Sequence, residues 1–246
     1  MSTTSMTHSA VSPAASVSTT LLLARHGRTV WHAENRYAGV SDVPLADEGH
    51  AQAEALGRWA AAHPVDAVWT STLSRAVATA EPACRALGLT AHREPALREC
   101  DFGVVEGHTL AEFEAENPAR AKAFRVDPVS YPFPEAEDPR TAAARGAAVL
   151  RRIGAAHHGE RVLVVAHNTL LRLVLCSLLS IPLGEYRRVL PRLRNAAITE
   201  LRMTDGAAAL VSNTGPCASR GRFTLEGPRE SRPRGGPPFL RLPRER

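Results

Sequence analysis

Two short runs in this chain, residues 21–24 (Leu-Leu-Leu-Ala) and 162–166 (Val-Leu-Val-Val-Ala), are apolar at every position. A strand with one wet face alternates polar and apolar residues, so an unbroken run must be covered on both faces. Helical patterns supply the covers, over 47–62, 74–87 (ending at Gly88), 141–158 and 169–180. Further strands are predicted at 66–70 and 91–93. A closing hairpin, 198–203 with 208–212, turns at Asp205-Gly206. Residues 110–124 read as helix with a break at Pro118, Pro82 predicts a kink, and 128–139, with four prolines, must be a loop. Strands alternating with helices predict an α/β domain, a three-layer α/β/α sandwich with a mostly parallel central sheet.

Charge narrows the function classes. The 246 residues carry a net charge of +5, but 216–246 hold eight Arg and three Glu, which is the whole excess. The remainder is neutral, so no basic groove for nucleic acid is indicated and no specific nucleic-acid partner is expected. Residues 1–18 and 214–246 are expected to be disordered, with one domain over 19–213 between them. Four scattered cysteines have no metal spacing and point to a reduced, cytoplasmic setting. The apolar stretch 170–183 is interrupted by Arg172 and Pro182 and is too short for a bilayer, so no membrane partner is expected.

Three predicted strands end in chemically similar groups. The first runs into Arg25-His26-Gly27, the second into Ser71-Thr-Leu-Ser-Arg75, and the most apolar into His167-Asn168. Ligands in open α/β sheets bind at the carboxyl ends of strands. If these strands are parallel neighbours, two Arg and two His converge there with about +2 to +4 of charge. A phosphoryl group carries about −2 on oxygens that match the guanidinium fork. Gly27 is expected to let a phosphate approach the main chain. No ladder of aspartates for a metal is evident, so no metal and no cofactor are expected. His157-His158 reads as a solvated helix end.

The chain resembles the histidine phosphatase superfamily, also called phosphoglycerate-mutase-like, over about residues 20–213. The matching blocks are 22–29 (Leu-Leu-Ala-Arg-His-Gly-Arg-Thr), 36–39, 42–49, 70–76, 97–103 with Glu106-Gly107, 164–167 and 195–199. The resemblance implies that His26 is the nucleophile, forming a phosphohistidine. Arg25, Arg75 and His167 would hold the phosphoryl oxygens. Glu99 would be the general acid and then the base, with Asp101 the nearest competitor for that role. Thr29, His32, Gly39 and Asn168 are implied as substrate contacts.

Several positions depart from the family pattern. His32 stands where Asn is usual and can still donate. Asn168 stands where Gly is common, and Asn tolerates left-handed angles. Arg28 replaces Glu or Gln and adds charge near the mouth. Ala46 replaces a Ser or Thr helix cap, a loss of about 1 kcal/mol.

The implied activity is a phosphomonoesterase acting on a small soluble phosphate ester. The alternatives are a cofactor-dependent phosphoglycerate mutase and a non-catalytic phospho-ligand binder. Only 67 residues separate Glu99 from His167, shorter than the family's mutases use to shield a phosphoenzyme. The substrate and the oligomeric state, with a homodimer as one option, are not legible in the sequence.

Overall fold

The computed structural model describes residues 17–216. The disorder expected of 1–18 and 214–246 falls outside them except at 17–18 and at 214–216, where the last strand continues to Pro216. The chain runs β1 (Thr19–Arg25), α1 (Asp47–Ala61), β2 (Ala67–Thr70), α2 (Ser74–Leu87) and β3 (His92–Arg93). It continues through α3 (Leu110–Glu116), α4 (Pro118–Val126), α5 (Pro139–Ala156), β4 (Arg161–Ala166), α6 (Asn168–Leu178) and α7 (Tyr186–Val189), closing with β5 (Ala197–Thr204) and β6 (Ala207–Pro216).

One sheet has the order β3-β2-β4-β1-β5-β6. The pairings are parallel from β3 to β1 and antiparallel beyond. In the parallel register Leu21 lies beside Val162 and Leu22 beside Leu163. Alternation along the strands then divides the core. Leu21, Leu23, Val162 and Val164 pack with residues of α5 and α6 on one face. Leu22, Ala24, Leu163 and Val165 pack with α1 and α2 on the other. Each buried Leu or Val contributes roughly 1.5–3 kcal/mol, so the two apolar runs anchor the sandwich. A third, smaller core gathers Val105, Phe113, Phe124 and Phe133 beside the sheet.

The hairpin turns where expected, with φ 49° at Asp205 and 81° at Gly206. Asn117 separates α3 from α4, placing Pro118 at a first helical position where its missing N–H costs nothing. Pro82 does not interrupt α2, which runs continuously through it. The helix after the proline-rich loop starts at Pro139, earlier than expected, because Asp138 accepts from the N–H of Arg140 and caps it. His157 is not a solvated end: Trp69 Nε1 donates to its Nε2, and its Nδ1 faces Glu160 at 2.6 Å. Ala46 caps α1 with no side-chain bond, as its methyl dictates.

Candidate active site

The neighbours β2, β4 and β1 are parallel and adjacent, so their carboxyl ends lie side by side. His26 follows β1, His167 follows β4, and Arg75 stands one residue into α2, just past the end of β2. The rings of His26 and His167 are 5.1 Å apart between centroids. Side chains more than a hundred residues apart in sequence thus share one pocket.

Backbone contacts fix His26. Its N–H donates to Ala166 O at 2.9 Å, and its carbonyl accepts from Asn195 Nδ2 at 2.8 Å. Its Nδ1 lies 2.7 Å from the carbonyl of Gly27, which can only accept. Nδ1 therefore carries the proton. Burial, reinforced by His167, Arg25 and Arg75, holds the His26 pKa well below the usual imidazole value. The ring is neutral at pH 7, and Nε2 keeps its lone pair. His167 is fully buried and is shifted the same way by burial and then by Arg75 and Arg25.

The two arginines are held differently. Arg75, 0% exposed, donates to the carbonyls of Ala38, Gly39 and Ser41. Arg25 donates through Nη1 to Leu193 O and through Nη2 to His32 Nε2 at 2.7 Å. Burial brings its pKa down to about 10, which leaves it charged at neutral pH. Arg25 Nε, Arg75 Nε and both ring nitrogens of His167 are buried polar atoms without a hydrogen-bond partner. Such orphans are rare in folded proteins and mark places where a ligand supplies the partner.

Glu99 lines the same cavity as His26 and Arg25, a space of about 570 Å³ counting its open mouth. Its Oε2 accepts from Thr169 N–H, and its Oε1 from Leu170 and Cys100 N–H. The nearby acids are placed elsewhere. Asp101 Oδ1 accepts from the N–H of Gly103. The carboxylate of Glu106 takes the N–H groups of Gly39, Val40, Ser41 and Phe102 and the Ser41 hydroxyl. Glu106 thus rivets the loop whose carbonyls hold Arg75, a role the sequence reading missed. Glu106-Gly107 was visible there only as a matching block.

The implied substrate contacts separate. Thr29 and His32 line the cavity, and Thr29 Oγ1 meets His32 Nδ1 at 2.7 Å. His32 Nε2 lies against Arg25 Nη2, a group that can only donate, so His32 steadies the guanidinium. Burial, with Arg25 next, pushes the His32 pKa down to about 4. Gly39 does not line the cavity. A Cβ there would fall 2.1 Å from Glu106 Oε1, and its carbonyl holds Arg75. Asn168 is the first residue of α6, in right-handed conformation, and lines the cavity with its buried Oδ1 unpartnered. Its tolerance of left-handed angles is not called upon. Gly27 has no positive φ either; a Cβ on it would sit 2.6 Å from Gly49 O, so it is small to let the loop touch the start of α1. Arg28 pairs with Glu48 at 3.3 Å, which offsets its charge at the mouth. Among the described residues no three His, Cys, Asp or Glu gather as metal ligands, and no helix is long and apolar enough to cross a membrane.

Known proteins share this architecture. A protein from Cronobacter sakazakii named probable phosphoglycerate mutase GpmB is 31% identical over 179 residues, 73% of this chain and 82% of that one. Bacillus stearothermophilus YhfR superposes with a TM-score of 0.76 at 28% identity, covering 81% of this chain and all (100%) of its own. A mycobacterial glucosyl-3-phosphoglycerate phosphatase superposes with a TM-score of 0.72 at 26% identity, covering 81% of this chain and 100% of that one. The fold is the phosphoglycerate-mutase-like α/β sandwich. The family model of the histidine phosphatase superfamily, branch 1, matches residues 21–214, and the chain belongs to that superfamily.

Proposed function

We propose that this protein is a phosphomonoesterase that passes the phosphoryl group of a small soluble ester to His26 Nε2 and then to water, without a metal. The observation that carries this reading is the free lone pair of His26 Nε2 beside unpartnered donors of Arg25, Arg75 and His167. Those donors match the charge spread over the non-bridging oxygens during transfer.

In the first step the N–P bond forms as the bond to the leaving oxygen breaks, and a proton on Glu99 passes to that oxygen. In the second, Glu99 takes a proton from water, whose oxygen attacks phosphorus while the N–P bond breaks. The proton on His26 Nδ1 stays on that nitrogen throughout, hydrogen-bonded to Gly27 O. The general-acid role is given to Glu99 because it lines the cavity with His26, which Glu106 does not; the N–H groups of Cys100, Thr169 and Leu170 fix its carboxyl there.

Turnover of p-nitrophenyl phosphate in a chelator tests the proposal. The wild type should remain active, and His26→Ala should lose on the order of 10⁴-fold or more. An acid-labile, base-stable phosphoenzyme should form in the wild type alone. Equal rates for the two proteins overturn the mechanism. The naming of GpmB supports a second reading, return of the phosphoryl group to another hydroxyl. Phosphorus NMR with 3-phosphoglycerate separates the two: free phosphate supports hydrolysis, and 2-phosphoglycerate supports the mutase.

A further inference from the structure

A second cavity of about 670 Å³, counting its mouth, adjoins the first, and Tyr37, Phe102, Asn168 and Thr169 line both. Its far wall is built after the second histidine, from Arg172 on α6 and from Tyr186 and Arg187 on α7. The recorded hydrogen bonds from these two guanidiniums go to neutral oxygens. Arg172 donates to the carbonyls of Leu190 and Tyr186, and Arg187 to the Tyr186 hydroxyl and the Phe124 carbonyl. Rings hold them in place: Arg172 lies 4.6 Å from the centroid of Tyr186, and Arg187 lies 4.6 Å from that of Phe124.

The carboxylates in the same wall do not cancel this charge. Glu137 is bound to Arg145 through both oxygens. Asp101 accepts from the Gly103 N–H. Two guanidiniums therefore face a cavity with one carboxylate that lacks a cationic partner of its own. The remaining walls are rings, Phe102, Phe124 and Phe133 among them.

We propose that this second cavity receives the leaving group, and that Arg187 and Arg172 bind a second anionic group on it. The substrate class is then a phosphomonoester whose leaving group combines an apolar or planar body with a carboxylate or a further phosphate. The inference rests on the phosphatase reading above. Arg187 is a specificity-determining residue, pre-set by its rings so that little side-chain entropy is lost on binding.

The test compares kcat/KM for phenyl phosphate, 4-carboxyphenyl phosphate and hydroquinone bisphosphate in the wild type, Arg187→Met and Arg187→Lys. The wild type should prefer at least one doubly anionic ester over phenyl phosphate by about tenfold, the worth of a charge-assisted contact. Arg187→Met should bring that ratio close to one, mainly through KM, and Arg187→Lys should restore part of it. A larger ratio for the carboxylate or for the bisphosphate identifies the second group. Thermal unfolding of each variant shows that the ratio is read on folded protein. Turnover of all three esters at equal kcat/KM, unmoved by Arg187→Met, overturns this inference and leaves the phosphatase intact. No turnover of any ester by the wild type defeats the phosphatase reading itself.

Discussion

Two sets of arginines in this molecule look alike in sequence and behave differently. Arg36, Arg85, Arg125 and Arg188 meet glutamates at the surface. Such exposed pairs contribute about 0–1 kcal/mol and largely cancel their own charge. Arg25, Arg75, Arg172 and Arg187 instead donate to carbonyls, a hydroxyl and an imidazole nitrogen. A neutral oxygen fixes the guanidinium in space and leaves its full charge for something else. The difference teaches where to look in a chain this rich in arginine: a buried guanidinium held by neutral partners at a cavity wall keeps charge that a ligand can use.

Arg75→Met is the strongest way to break that distinction. It leaves the carbonyls of Ala38, Gly39 and Ser41 without their donor and removes the phosphate contact proposed above. We expect kcat to fall by about 10²–10³-fold, the usual loss for one stabilising donor. Steady-state kinetics with p-nitrophenyl phosphate would show it. If Arg75→Met lost no more activity than Arg85→Met, the distinction would be wrong.

Glu106→Gln should act one step further away. The amide keeps an acceptor oxygen but replaces the other with a donor facing N–H groups and the Ser41 hydroxyl. A loss of about 1–3 kcal/mol in stability is expected, together with slower turnover because the cradle of Arg75 loosens. Urea unfolding and kcat, measured on the same preparation, check both. A stability loss with unchanged kcat would show that the rivet does not reach Arg75.

The smallest effect concerns pH. The folded pKa of His32 is about 4, and those of His26 and His167 also lie well below 6.5. Above pH 6.5 neither the folded nor the unfolded imidazoles hold a proton, so these groups are silent. As pH falls below 6.5 the unfolded chain binds protons first and stability is lost. For His32 the loss levels off near pH 4. His32→Asn should therefore flatten the decline of melting temperature between pH 6.5 and 4, and identical slopes for the two proteins would contradict the assignment.

The parallel strands were legible because period and composition report burial directly. The convergence of Arg25, His26, Arg75 and His167 needed one further condition, adjacency of β1, β2 and β4, which the sheet order supplies. Long-range contacts were not legible. His157 faces Trp69, 88 positions away, and Glu106 closes on Ser41, 65 positions away. Arg172 registered only as a break in an apolar run, although a lone cation there already required a partner. Nor was it legible that Pro82, inside an unbroken α2, packs against Gly57 of α1.

The junction from β4 into α6 carries a final consequence. Within six residues it sets the His167 ring against that of His26, the Thr169 and Leu170 amides on Glu99, and Arg172 in the wall of the second cavity. Reaction chemistry and ligand choice are thus geared to a single rigid turn, and a one-residue insertion there would detune both together. Variants that change what they accept without losing rate would have to alter α7 or the proline-rich loop 128–139, where a side chain can vary while the gear stays meshed.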